Sequence, residues 1–321
     1  MATTSIDLAG LDLKNSDLRI GTRGSVLALA QTDWALGEIR RIDPTRKVER
    51  VIIETTGDRD QTSPLASFGG TGVFVAELQA AILDGRIDAA VHSYKDMASR
   101  PTEGLKQYFP PREDVCDVLV GCPLDELREG AVVGTGSPRR VAQLKRRRPD
   151  LDIRPLRGNI TTRLTKQIDG TFDAVVLAKA GLKRARLFDP LRDFDLDPKE
   201  FTPATGQGQL ALECREMEDL PVEEGVLTSA LDRRLAVVER FFARELGFGC
   251  HTPAAVWARV EGRRIAAVID ILAPDGQESL KIEVPVSLSH RDGDLQSALA
   301  SAEERGMRAF LREVEASTPG A

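Results

Sequence analysis

The chain has 321 residues, 41% hydrophobic and 29% charged, with a formal net charge of −6. That length allows two or three domains with substantial cores, and the acidic balance argues against a general nucleic-acid binder, although the arginines are unevenly placed. Four scattered cysteines (Cys116, Cys122, Cys214 and Cys250) and three histidines form no CxxC pair and no zinc spacing, so no metal site is expected. A reducing, cytoplasmic compartment is the simplest reading. No apolar run reaches membrane length and there is no signal-peptide pattern.

Residues 1–17 lack a clear period and read as a leader. Leu18–Thr22 reads as a strand; Arg23-Gly24-Ser25 turns it, and Ser25 is placed to cap a helix running to about Arg41. Val26, Leu29, Ala30, Leu36 and Ile39 recur on its apolar side. A strand running through a short turn into a helix presents backbone N–H groups to an anion, and Arg23 beside the cap adds a carboxylate or phosphate grip. The turn has no nucleotide-binding pattern. Val48–Ile53 is a second strand. The Gly-rich stretch after it, about 57–73, reads as a lid over a cleft or as a plain surface loop. Helical spacing resumes from Phe74 to Leu83.

The run Ala89–Val91 then breaks into His92-Ser93-Tyr94-Lys95-Asp96. Ligands of open α/β sheets bind at the carboxyl ends of strands. A cation and a carboxylate side by side there suit a substrate that carries carboxylates and must become cationic. A strand entering a solvated turn would look the same.

Pro110-Pro111-Arg112 favours an extended crossing into a second domain. There, strand Ala131–Thr135 leads into Gly136-Ser137-Pro138-Arg139-Arg140, with Ser137 at an N-cap and two arginines in the first turn. The helix dipole disfavours cations at that end. Either both point to solvent or an anion meets them. The arrangement repeats at Ile153–Leu156, followed by Arg157-Gly158-Asn159 and Arg163. It recurs in looser form at Asp173–Ala178, followed by Lys179, Lys183 and Arg184. If these strands are parallel, their basic ends lie together and imply a ligand with many anionic groups. TPATGQGQ, residues 202–209, precedes the apolar run Leu210–Cys214 and marks the return crossing, so the middle domain is an insertion on a hinge.

Leu231–Leu246 is an amphipathic helix with Leu235, Val238, Phe241, Phe242 and Leu246 on one side. After it come three hairpin-linked strands and a closing helix over about 294–315, a small α+β domain with an antiparallel sheet. Cys250, on a loop between Gly249 and His251, is either a small buried hydrophobe or an accessible attachment point.

Taken together, RIGTRGSVLALAQT, ETTGDR, DAAVHSYKDM, PPRED, GTGSPRRVAQL, PLRGNITTRL, LAKAGLKR, PATGQGQLALECR and GFGCHTP resemble one family in order, hydroxymethylbilane synthase, also called porphobilinogen deaminase. The resemblance runs from about Leu18 to at least Ala255. It implies two doubly wound, periplasmic-binding-protein-like α/β domains around a cleft, 18–112 with 206–228 and 113–205, plus a small α+β domain over 229–321. It implies a dipyrromethane cofactor joined by a thioether to Cys250, on which four porphobilinogen units are added with loss of ammonia before hydrolysis releases the linear tetrapyrrole. Asp96 then falls in the catalytic position, stabilising the cation formed as ammonia leaves. Lys95, Ser25, Ser137, Arg139, Arg140 and Arg163 match cofactor binders. Arg23, Ser25, Arg157, Arg163, Arg184, Phe74 and Gln207 match positions near the substrate and growing chain. A monomer acting without membrane or nucleic acid is implied.

Three positions depart from the family pattern: Ala98 stands where a proline often follows, Thr71 where many members carry lysine, and Ala255 in place of glycine. A hinged solute-binding protein or an inactive paralogue would share the architecture, but neither has a use for Asp96 together with Cys250.

Overall fold

The computed structural model describes residues 17–55, 75–249, 251–289 and 293–317. The readings placed on Thr71, Phe74 and Cys250, on the 57–73 lid and on the leader before residue 17 lie outside the described residues.

The first lobe is built from β1 (Leu18–Thr22), α1 (Val26–Ile42), β2 (Val48–Ile52), α2 (Ala76–Leu83), β3 (Ala89–Ser93), β4 (Leu105–Tyr108) and a late strand, β10 (Leu210–Arg215). The strand order is β2-β1-β3-β10-β4. β1 runs parallel to β2 and β3, and β10 runs antiparallel to β3 and β4. Ser25 caps α1 as the sequence indicates, its Oγ accepting from the Ala28 N–H at 3.3 Å. The buried face of α1 is Thr32, Ala35, Leu36 and Ile39 rather than one that includes Val26, which is 45% exposed. Val26 is the first residue of the helix, directly after the Ser25 cap.

The second lobe comprises β5 (Asp117–Val120), β6 (Val132–Gly134), α3 (Pro138–Arg147), β7 (Asp152–Arg154), α4 (Ile160–Ile168), β8 (Ala174–Ala178), α5 (Lys179–Arg184) and β9 (Asp193–Leu196). Its order, β7-β6-β8-β5-β9, repeats that of the first lobe. The three strands that end in basic turns, β6, β7 and β8, are parallel neighbours, so those turns share one edge. In each lobe the antiparallel strand, β10 or β5, follows directly on a crossing from the other lobe.

The third lobe packs α6 (Ala230–Glu245) on the antiparallel sheet β11 (Ala254–Glu261), β12 (Arg264–Leu272) and β13 (Ser279–Ser287). Leu235, Val238, Phe241, Phe242 and Leu246 all enter its core, each burial worth about 1.5–3 kcal/mol. The closing segment is two helices, α7 (Asp294–Glu304) and α8 (Met307–Ser317), not one. Gly306 divides them at φ +88°, a backbone angle that no helix interior accepts.

Candidate active site

A cleft of about 430 Å³ lies between the first two lobes, where the carboxyl ends of their parallel strands converge. β3 delivers one wall. Beyond Ser93 the chain makes a single 3-10 turn, Tyr94–Asp96, that aims Lys95 and Asp96 into the cleft. The turn is held from behind by α6 of the third lobe. Arg240 donates to the carbonyls of Tyr94 at 2.6 Å and Met97 at 3.0 Å, and its guanidinium lies 4.4 Å from the centre of the Tyr94 ring. Phe109 meets the same ring edge-on at 5.0 Å. The turn followed by Ala98 is therefore fixed without a proline.

Among the described residues, the cleft wall carries the cations Arg23, Lys95, Arg140, Arg157, Arg163 and Arg184, and one carboxylate, Asp96. Ser25, Ser137 and Asn159 also face it. Asn159 caps α4 through Thr162 N–H at 2.9 Å. Ser137 occupies the cap position of α3 but makes no bond to the helix with its hydroxyl. The backbone aims two of the arginines: Arg163 Nε donates to Gly158 O at 2.8 Å and Arg184 Nη2 to Gly208 O at 2.6 Å. Burial, opposed by Asp96 and reinforced by Arg140 and Arg139, pushes the Lys95 ammonium down to about 8. Burial likewise brings Arg163 and Arg184 down to about 10. A wall on which several cations are held below their ordinary range is set to receive anions.

Two predicted positions sit elsewhere. Arg139 is buried behind the wall, with Nη2 on Asp117 Oδ2 at 2.7 Å and Nη1 on the Thr202 carbonyl at 2.7 Å. Gln207 is also buried, its Nε2 donating to Val115 O at 2.7 Å and Asp117 Oδ1 at 2.8 Å. Neither lines the cleft. The anion that the arginine pair of α3 demands is partly internal, because Arg140 Nη2 also donates to Asp117 Oδ1, at 2.6 Å. Arg140 alone of the pair still reaches the wall.

Sequence reasoning missed Asp117, whose signal was a carboxylate inside the apolar run Val115–Val120, where a buried charge must be paired. It also missed Glu239 of α6. This fully buried carboxylate accepts from Arg112 at 2.6 and 3.2 Å, from Gly206 N–H at 2.6 Å and from Ala258 N–H at 2.8 Å. One side chain thereby ties both crossings to the third lobe. Gln31 is a further addition on the wall, donating to Ser93 Oγ at 3.0 Å.

Comparison with known proteins gives this cleft a family. The family model described as "Porphobilinogen deaminase, dipyromethane cofactor binding domain" matches residues 18–224. The chain belongs to the porphobilinogen deaminase family. It is 42% identical over 288 residues to the porphobilinogen deaminase of Syntrophotalea carbinolica, covering 88% of this chain and 91% of that one. With the porphobilinogen deaminase of Pelobacter propionicus the identity is 41% over 304 residues, 92% of this chain and 97% of that one. With the Bacillus velezensis protein of the same name it is 38% over 304 residues, 93% and 96%. The stretch matching the dipyrromethane-binding domain holds both walls of the cleft. The donor set suits that group: each pyrrole carries two carboxylates, and six cations face the space between the lobes.

Proposed function

We propose that the chain joins four porphobilinogen molecules in succession, releasing ammonia at each addition, on a dipyrromethane primer held through a thioether at Cys250, and then releases the linear tetrapyrrole hydroxymethylbilane by hydrolysis. The observation that carries this reading is the charge pattern of the cleft, one carboxylate among six cations. The dipyrromethane, when bound, supplies the pyrrole carbon on which the product grows. Lys95, Ser25, Ser137, Arg140 and Arg163 are assigned to carboxylates of the primer and growing chain. Arg23, Ser25, Arg157, Arg163 and Arg184 are assigned to those of the incoming unit. Arg139 and Gln207 act behind them, by holding Asp117. The Asp96 carboxylate stabilises the positive charge that develops on the substrate as ammonia departs, and takes up and returns pyrrole N–H protons.

Domain limits of 18–112 with 206–228, 113–205 and 229–321 are supported by the three sheets and the two crossings. Action as a cytoplasmic monomer belongs to the same reading. Among the described residues no helix is long and apolar enough to cross a membrane. The test is turnover: the purified protein given porphobilinogen should release four ammonia per linear tetrapyrrole. Asp96→Asn should keep the covalent cofactor and lose about 10²-fold or more in rate. Wild-type turnover in that variant removes Asp96 from the mechanism. A wild-type chain that binds porphobilinogen without releasing ammonia is a binding protein instead.

A further inference from the structure

In β12 every residue after Arg264 is buried, and one of them is Asp270, with no exposed surface. A carboxylate in that place does nothing for the apolar core of the third lobe. Its partners lie largely outside that lobe. Oδ2 accepts from Thr202 Oγ1 at 2.7 Å, Arg146 of α3 stands 3.7 Å from Oδ1, and Lys281 of β13 stands 3.6 Å from Oδ2. Thr202 is itself fully buried at the start of the return crossing. Its carbonyl receives Arg139 Nη1 at 2.7 Å and Gln143 Nε2 at 3.0 Å. From Arg139 the chain of bonds continues through Asp117 to Arg140, on the cleft wall.

A second contact reaches the same helix. Gly276, at the tip of the β12–β13 hairpin with φ +74°, lies so close to α3 that a Cβ there would stand 2.6 Å from the Arg146 nitrogen. The third lobe therefore touches the arginine-bearing helix both through side chains and backbone to backbone.

We propose that Asp270 is a positioning residue. From the third lobe it fixes Thr202, and through Thr202 it holds Arg139 against Asp117, which sets where Arg140 meets the carboxylates of the growing chain. The deaminase reading underlies this assignment. Without the bond to Asp270, Thr202 is held only by the α3 side chains that it is meant to position, Arg139 and Gln143.

The experiment uses the loaded enzyme with Thr202→Val, Asp270→Leu, their double variant and Asp270→Asn. Two quantities are read: steady-state kinetics with porphobilinogen, and hydrogen exchange of the α3 amides by mass spectrometry. Thr202→Val keeps the carbonyl and loses only the hydroxyl bond. It should raise KM about fivefold, leave kcat within about twofold, and speed α3 exchange. Asp270→Leu, which also takes the carboxylate from Arg146 and Lys281, should shift KM at least as far, and the double variant should match Asp270→Leu, because the Thr202 bond is already gone there. Asp270→Asn still offers an oxygen to Thr202 and should restore most of the wild-type KM. If Asp270→Leu does not fold, Thr202→Val against Asp270→Asn decides alone. An unchanged KM in Thr202→Val, or effects that add in the double variant, overturns the proposal. A wild-type enzyme that forms no tetrapyrrole would refute the deaminase reading instead, and α3 exchange in Thr202→Val would still decide whether the latch exists.

Discussion

Lys95 carries the pH dependence of the site. Burial, with Arg140 and Arg139 adding to it, places its proton loss near pH 8, against an ordinary value of 10.5. As pH climbs through about 8 the ammonium is lost, and with it the attraction for carboxylates. With the grip on the primer and growing chain weakened, kcat/KM for porphobilinogen should fall several-fold between about pH 7.5 and 9, and Lys95→Arg, which stays charged, should flatten that limb. A pH-independent kcat/KM over that range in the wild type would contradict the assignment. The sign for stability is opposite. The folded value lies below the unfolded one, so the unfolded chain binds more protons between about 8 and 10.5. Urea unfolding of cofactor-free protein should then show stability increasing with pH across that window. The Lys95-Asp96 pair was legible in the sequence because it follows an apolar run that had to be a strand. The division of labour between Arg139 and Arg140 was not. Adjacent residues on a helix differ by about 100° in direction, and the acid that captures Arg139 comes from a strand twenty-two positions earlier.

Among the elements, α3 shows how a helix can begin with two arginines against its own dipole. Asp117 of β5 accepts from both guanidinia and from Gln207, and the arginines hold its carboxyl well below the usual carboxylate range despite burial. Asp117→Ala would leave two buried cations facing each other. It should destabilise the protein by about 3–5 kcal/mol in denaturant unfolding and weaken ligand binding through Arg140. A loss below about 1 kcal/mol would show that solvent reaches the pair. Strands, caps and the parallel basic edge of the second lobe could be read from periodicity and turn residues. The short edge strands β4 and β9 could not, since four residues are too few for a period to stand out from the neighbouring loop sequence. Nor could the break between α7 and α8, where only the angle at Gly306 marks the stop.

On the scale of the whole molecule, the third lobe holds the other two. Glu239 fastens both crossings, Arg240 fastens the turn that bears Asp96, and Asp270 reaches the helix that bears Arg139 and Arg140. Adjacent residues of α6 thus fix both crossings and one wall of the cleft. Arg240→Ala should lower kcat about tenfold with KM within about twofold, since it frees the turn carrying Asp96, the carboxylate proposed to act in catalysis, and leaves most of the cleft's cations in place. Equal losses in both constants, or a fall in thermal stability with full residual kcat, would reduce Arg240 to a structural part. The measurement that tests the account most directly is the intact mass of the purified protein, with peptide mapping around Cys250. The account predicts a covalent increment of two pyrrole units on that peptide, absent from Cys250→Ser. A Cys250 that stays unmodified after incubation with porphobilinogen would contradict it and leave a hinged anion-binding protein.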